Sequence, residues 1–294
     1  MKSRTVLLIT VFLWVNLLSH SQIRLAFNPE NDKTYSFRFI TDENSNQTVG
    51  GQETTTGNRL EFVIDMSIKN KNSDEIFLDY IYKEIVMSFL HPMMSFTVDS
   101  KNKNGNSSDI NKFFDCMIGK SLQLVVSPDG SVKSVTGFQP IMEDMQKVMA
   151  SANDTDKRVT GMFIQMSFHE FAVKTGFEQS FKMYPDKEIM IGESWTIDKS
   201  IAVSKITNNI INTYTLKSVS EDMASIDLTV VSLMKNESLN REIKEEQKGE
   251  IKLNTKTGLP IQSSLSGNSK AILNVQGTEM KSENTKKITV ALLQ

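Results

Sequence analysis

Cysteine is almost absent: Cys116 is the only one in 294 residues. That excludes an intrachain disulfide framework, and its mid-chain position excludes a lipid-attached cysteine next to the N-terminal leader. Cys116 lies among apolar neighbours in "FFDCMIG", so a buried, inert thiol is expected. Histidine is scarce too. Of three, His20 falls in the leader, leaving His91 and His169. Metal sites gather His, Cys, Asp or Glu at tight spacing. His91 precedes Pro92, and the adjacent pair His169-Glu170 would face different sides of a helix, so no metal is expected. The chain has no nucleophile elbow, P-loop or dinucleotide fingerprint, hence no cofactor and no recognisable catalytic residue. No basic patch stands out among 33 basic and 35 acidic residues, which argues against nucleic acid as a partner. No long apolar run follows the leader, so no transmembrane span is expected beyond it.

What is present begins with that leader. Lys2 and Arg4 precede "VLLITVFLWVNLL" (6–18), and Ser19 and Ser21 follow at the positions a signal peptidase inspects. Charge, apolar length and small-residue exit are the features of a secretory signal peptide, residues 1–21, and the apolar run is short of the ~20 residues of a membrane helix. Cleavage after Ser21 leaves 294 less 21, or 273 residues, with 31 basic against 35 acidic side chains once Lys2 and Arg4 are gone. Export without disulfides points to a bacterial periplasm or cell surface.

The remainder, 22–294, reads as one domain. Residues 22–138 form a strand-rich half. "TYSFRFIT" (34–41) and "RLEFVIDMSI" (59–68) alternate with period two, and the polar stretch between them reads as a flexible turn or a long hairpin tip. Residues 74–89 read as a strand bulged midway. Residues 139–184 switch to helical spacing, with one helix over 140–153 and a second from about 156 to 174, stopping near Gly176. From 185 to 294 the strand period returns, with candidate strands at 193–201, 210–219, 223–234, 241–254, 259–267, 270–277 and 286–293 and short turns between them, the pattern of an antiparallel meander. The fold class expected is α+β: mostly antiparallel β, two strand-rich halves packed around a central helical insertion. "GKSLQLVVSPDGSVKSVTG" (119–137) and "GEIKLNTKTGLPIQSSLSG" (249–267) share a glycine-bounded hairpin pattern, which either an internal repeat or the general rules of tight turns produces.

Methionine is the unusual component, with 16 in the chain. Met142, Met145, Met149, Met162 and Met166, with Phe163, cluster on the helical insertion, and methionine adapts to irregular apolar partners. These residues are candidates for lining an apolar-ligand cavity; core filling between helices and sheet is the plainer role. Trp195 in "GESW" opens the second half, either as a strand anchor or as a platform for a ligand.

Taken in order, "YSFRF", "FTVDS", "GKSLQLVVSPDGSVKSVTGF", "PDKEIMIGESWTI" and "TYTLKSV" resemble a family of secreted bacterial proteins defined by a domain of unknown function. The resemblance covers most of the chain after the leader. It implies no catalytic residues, and it implies a lipoprotein cysteine that this chain lacks. The layout is also similar, at the level of fold, to periplasmic lipoprotein carriers and lipid-binding half-barrels. The leading functional expectation is therefore a secreted or periplasmic, non-enzymatic protein that binds an apolar ligand or a lipidated envelope partner in a β-shell covered by helices. The alternatives are a structural or protein-interaction module of the cell envelope, and a hydrolase without a recognisable motif.

Overall fold

The computed structural model describes residues 22–92, 95–101, 109–203, 206–236, 241–275 and 278–293. The first half comprises β1 (Thr34–Val49), β2 (Gln52–Lys71), β3 (Ile76–Leu90), β4 (Phe96–Asp99), α1 (Asp109–Asp115), β5 (Ser121–Val126) and β6 (Val132–Thr136). The insertion is α2 (Phe138–Ser151), α3 (Asp154–Ser167) and α4 (Glu170–Phe181). The second half is β7 (Ser194–Val203), β8 (Ile206–Ser220), β9 (Met223–Asn236), β10 (Arg241–Asn254), β11 (Pro260–Val275) and β12 (Thr278–Leu293). All twelve strands belong to one sheet, in the order β6-β5-β3-β2-β1-β12-β11-β10-β9-β8-β7, with β4 added on β3. Every pairing is antiparallel. The fold is thus α+β, a meander whose first and last strands pair, with β4 and α1 set between the paired β3 and β5 and with α2–α4 spanning the break between β6 and β7.

Several strands run further than their apolar patterns. β1 and β2 stay paired to Val49↔Gln52 across the two-residue turn Gly50-Gly51, so of the two readings the polar stretch is the long hairpin, strand down to its turn, and not a flexible turn. Its Thr-rich sequence favours β structure, and it forms a rim where no core needs covering. β3 carries its expected irregularity, a register shift opposite Val63/Ile64. β11 is one strand and not two. Its Gly267 looks like a turn residue, but β10 passes so close that a Cβ there would lie 2.4 Å from the Glu246 carbonyl oxygen. The outer face of β1–β3 is charged: Arg38 meets Glu61 at 3.4 Å, Arg59 meets Asp42 at 2.8 Å, and Lys101 meets Glu84 at 2.6 Å.

The inner face of the first half is filled. Phe37, Ile64, Met66 and Ile85 are fully buried, and Phe113, Phe114, Phe163 and Phe168 pack edge to face or stacked between the helices. α1 is an element that its seven residues were too few to announce. The expected second helix is two. It breaks at Phe168, and His169 caps α4, its Nδ1 accepting from the Ala172 N–H at 3.4 Å; α4 then runs through Gly176 to Phe181. Cys116 is half-buried rather than fully enclosed; its Sγ contacts the Lys112 carbonyl oxygen at 3.3 Å, and burial pushes the thiol pKa up.

α2 is fastened to the start of β5 by Asp144, which pairs with Lys120 and with Lys147. Hydrogen bonds from Lys120, then Lys147, hold its carboxyl at about 2 against an ordinary 3.8. The contribution to stability is present above 3.8 and fades as pH falls through about 2. A carboxyl NMR titration should place Asp144 near 2 at low salt, with the midpoint climbing as salt screens this exposed cluster and climbing again in Lys120→Met.

One end of the sheet is closed by the N-terminal segment. Phe27 N–H donates to the Pro128 carbonyl at 2.8 Å, and Asn28 N–H donates to the Thr257 carbonyl at 2.8 Å. The turns of the two glycine phrases therefore grip the same strip of chain. Both turn glycines have positive φ and no room for a side chain: a Cβ on Gly130 would lie 2.0 Å from the Phe181 carbonyl oxygen, and one on Gly258 would lie 1.8 Å from that of Ala26. Tyr184 adds a hydrogen bond to the Gly258 carbonyl at 2.5 Å.

Candidate functional site

The inner face of the second half grades from apolar to polar, and strand register shows it row by row. Nearest the closed end run Leu216, Ile226, Ile251, Ser263, Val290 and Phe39. Two residues on along each strand come Trp195, Tyr214, Leu228, Gly249, Leu265 and Ile288. Next come Ile197, Asn212, Val230, Gln247, Gly267 and Lys286, and then Lys199, Ile210, Ser232 and Glu245. Rows two residues apart are separated by roughly 7 Å, so the change from hydrocarbon to charge takes place over about 20 Å.

A cavity of about 310 Å³ lies against this gradient, bounded by β7–β12 and by residues 178–183 at the end of α4. A second hollow, of about 270 Å³, shares Glu245 and Lys286 with it and brings Phe89 of β3 opposite β10, so the sheet curls around a common interior. A larger hollow of about 740 Å³ along β1–β4 is an open groove, and its Asp42 and Arg59 pair with each other.

α4 joins the two free sheet edges through one side chain. Glu178 accepts from the Val132 N–H of β6 at 3.0 Å and faces the Lys199 ammonium of β7 at 3.5 Å. Burial pushes the Lys199 pKa down, opposed by Glu178. Tyr214 is driven up to about 12 by burial, with the Asn212 side chain opposing the rise. Most polar groups at the cavity mouth are engaged: Ser232 donates to Asn208 Oδ1 at 2.7 Å, Gln247 donates to Glu245 at 2.6 Å, and Lys286 pairs with Glu43 at 2.5 Å. Apart from Glu178 at 3.5 Å, Lys199 Nζ is buried without a hydrogen-bond partner, as is Asn212 Oδ1. Among the described residues no group of three or more His, Cys, Asp or Glu could hold a metal ion.

Met145 is fully buried, and Met142, Met149 and Phe163 pack against the core from the helices. The side chains of Met162 and Met166 fall outside the described set. Trp195 stacks on Tyr214 with ring centroids 5.3 Å apart, and its Nε1 donates to the Met183 carbonyl at 2.9 Å. It is both anchored and one ring away from the cavity wall. The remaining wall residues come from six strands and carry no motif; their signal is that same-face positions turn from apolar to polar along β8, β9, β10 and β12 alike.

Residues 73–260 match a family model described as "Family of unknown function (DUF6263)". The chain belongs to this family. No curated protein matches it. Among solved structures, a lipovitellin chain is similar at 7% identity and a TM-score of 0.48, covering 90% of this chain and 25% of its own length. DynF of the dynemicin biosynthesis pathway of Micromonospora chersina gives 6% identity and 0.21, with 94% and 88% covered. The outer membrane protein OmpT of Vibrio cholerae gives 7% and 0.23, with 89% and 100% covered. This DUF6263 chain spans about a quarter of the lipovitellin chain, and likenesses this weak carry no argument about its function. No described helix is long and apolar enough to cross a membrane.

Proposed function

We propose that this DUF6263 protein is exported by the leader at 1–21 to a bacterial envelope and there binds a small amphipathic molecule, its apolar part seated on the β7–β12 sheet. One observation carries the reading: the row-by-row gradient from Leu228, Leu265 and Ile288 to Lys199, Ser232 and Glu245 along a cavity of about 310 Å³. Ligand sites are typically hollows of about 300–1,000 Å³ with apolar walls and a few placed polar groups. A merely structural shell would fill this face as the first half fills its own with Phe37, Ile64 and Met66. Met142, Met145 and Met149 pack into the core from the helices, and this reading seats the apolar part of the ligand on the strands.

Native mass spectrometry after detergent-free purification tests the binding. The expected spectrum carries a bound small molecule, or the purified chain takes up an apolar fluorescent dye with one site per chain. A ligand-free mass together with no dye uptake removes the proposal.

A further inference from the structure

We infer that the ligand carries one hydrocarbon chain of medium length, about ten to twelve carbons, whose end is stopped by a closed floor at Ile251, Ser263 and Val290. This rests on the reading that the cavity beside β7–β12 takes an amphiphile, and it adds the length of the apolar part, whatever the head group.

The floor comes from strand register. Ile251 pairs with Ser263, and Ser263 with Val290, so the three stand side by side on β10, β11 and β12. All three line the cavity. The hollow goes no further. In the same row, Leu216 and Ile226 have no exposed surface. Toward the closed end Leu253, Phe37 and Phe181 have none either, and the two phenylalanine rings pack edge to face with centroids 5.4 Å apart. A filled interior resists even one extra methylene. A chain that reaches Ile251 has therefore reached its limit.

The length above the floor follows from the same register. Two residues on along the strands lie Leu228, Leu265 and Ile288, and two further on lie Val230, Gln247 and Lys286. The apolar wall thus runs for two steps, roughly 14 Å, before amide and ammonium groups begin. An extended chain advances ~1.2 Å per bond, since three backbone bonds span about 3.3–3.6 Å, so roughly twelve carbons cover that wall. Volume is a separate measure. A methylene takes about the room of a water molecule, roughly 30 Å³, so a cavity of about 310 Å³ holds about ten. Length and volume meet at one medium chain. The paired long chains of a membrane diacyl lipid exceed both.

The test displaces the neutral dye N-phenylnaphthylamine from the purified chain with two homologous series, fatty acids and 1-monoacylglycerols from hexanoyl to hexadecanoyl, each below its micelle concentration. Each added methylene should lower the displacing concentration about fourfold until the chain meets the floor near ten to twelve carbons, after which the gain stops. The break should fall at the same length in both series, because the floor and not the head group sets it. Ser263→Leu raises the floor and should move the break about two carbons shorter; Ile251→Ala lowers it and should move the break longer. A thermal scan of each variant shows whether it is folded, and the wild-type series decides the question even if one is not. Gain that continues unbroken to hexadecanoyl, breaks at different lengths in the two series, or a break that stays in place in folded Ser263→Leu overturns the chain-length inference alone. Failure of the dye and of every competitor to bind overturns the cavity reading itself.

Discussion

Gly258→Ala is expected to lower the melting temperature by roughly 10 °C, and Gly119→Ala by only a few degrees. Both glycines have positive φ, 70° and 76°, so both alanines carry the ~1–2 kcal/mol cost of a left-handed backbone. They differ in what lies beyond. A Cβ at Gly119 meets nothing within 4 Å, while at Gly258 it would stand 1.8 Å from the Ala26 carbonyl oxygen. Relief requires moving the strip that also carries the Asn28-to-Thr257 hydrogen bond and the buried Phe27. Phe27 packs on Phe177 and Phe181 of α4 at 5.9 and 5.6 Å between ring centroids, so the disturbance reaches the helix that bridges the two sheet edges. Thermal unfolding of the two variants measures this difference. Equal losses would mean that the turn does not hold the N-terminal segment as described.

Val230→Trp is expected to cut uptake of an apolar dye by at least about tenfold with a small change in stability. Val230 sits in mid-gradient, between Leu228 and Ser232 on the cavity wall, and is partly accessible. An indole there occupies the space the ligand needs. Overpacking a filled core costs about 1–3 kcal/mol; a hollow of about 310 Å³ accepts the ring at less. The matching change in the first half, Ile64→Trp, enters a position with no exposed surface, and there the loss should appear in the melting temperature. Dye titration and thermal scans on the two variants give opposite patterns if one half is hollow and the other filled.

The fold class was legible because the sequence alternates where the sheet has one buried face: Leu60, Phe62, Ile64 and Met66 announce β2 without help. The features that escaped have physical reasons. The outer parts of β1 and β2 are polar on both faces, so alternation disappears although pairing continues to Val49↔Gln52. α1 has seven residues, fewer than two full turns, too short for a periodic signal. The break between α3 and α4 is made by His169 acting as a cap, a role that histidine seldom takes, in a stretch whose apolar spacing continues on both sides. The candidate site was the least legible part. Met142, Met145 and Met149 drew notice because they stand close together in sequence, whereas Lys199, Asn212, Ser232, Glu245 and Lys286 are brought to one cavity only by the register of six strands. The polar turn along each inner face was visible strand by strand, as in Leu216, Tyr214, Asn212. Its meaning depended on knowing that neighbouring strands align it.

The claim that an apolar chain lies against Tyr214, one ring from Trp195, is tested most directly by contact quenching. The chain has two tryptophans, Trp14 in the leader and Trp195, so the chain from Gln22 onward carries Trp195 as its single tryptophan reporter. Monoacylglycerols brominated at the chain end or next to the head group are then titrated in. The account predicts strong quenching of Trp195 by the chain-end bromine and weak quenching by the one near the head. Binding that quenches equally from both positions, or not at all, would contradict a ligand seated tail-down on this sheet.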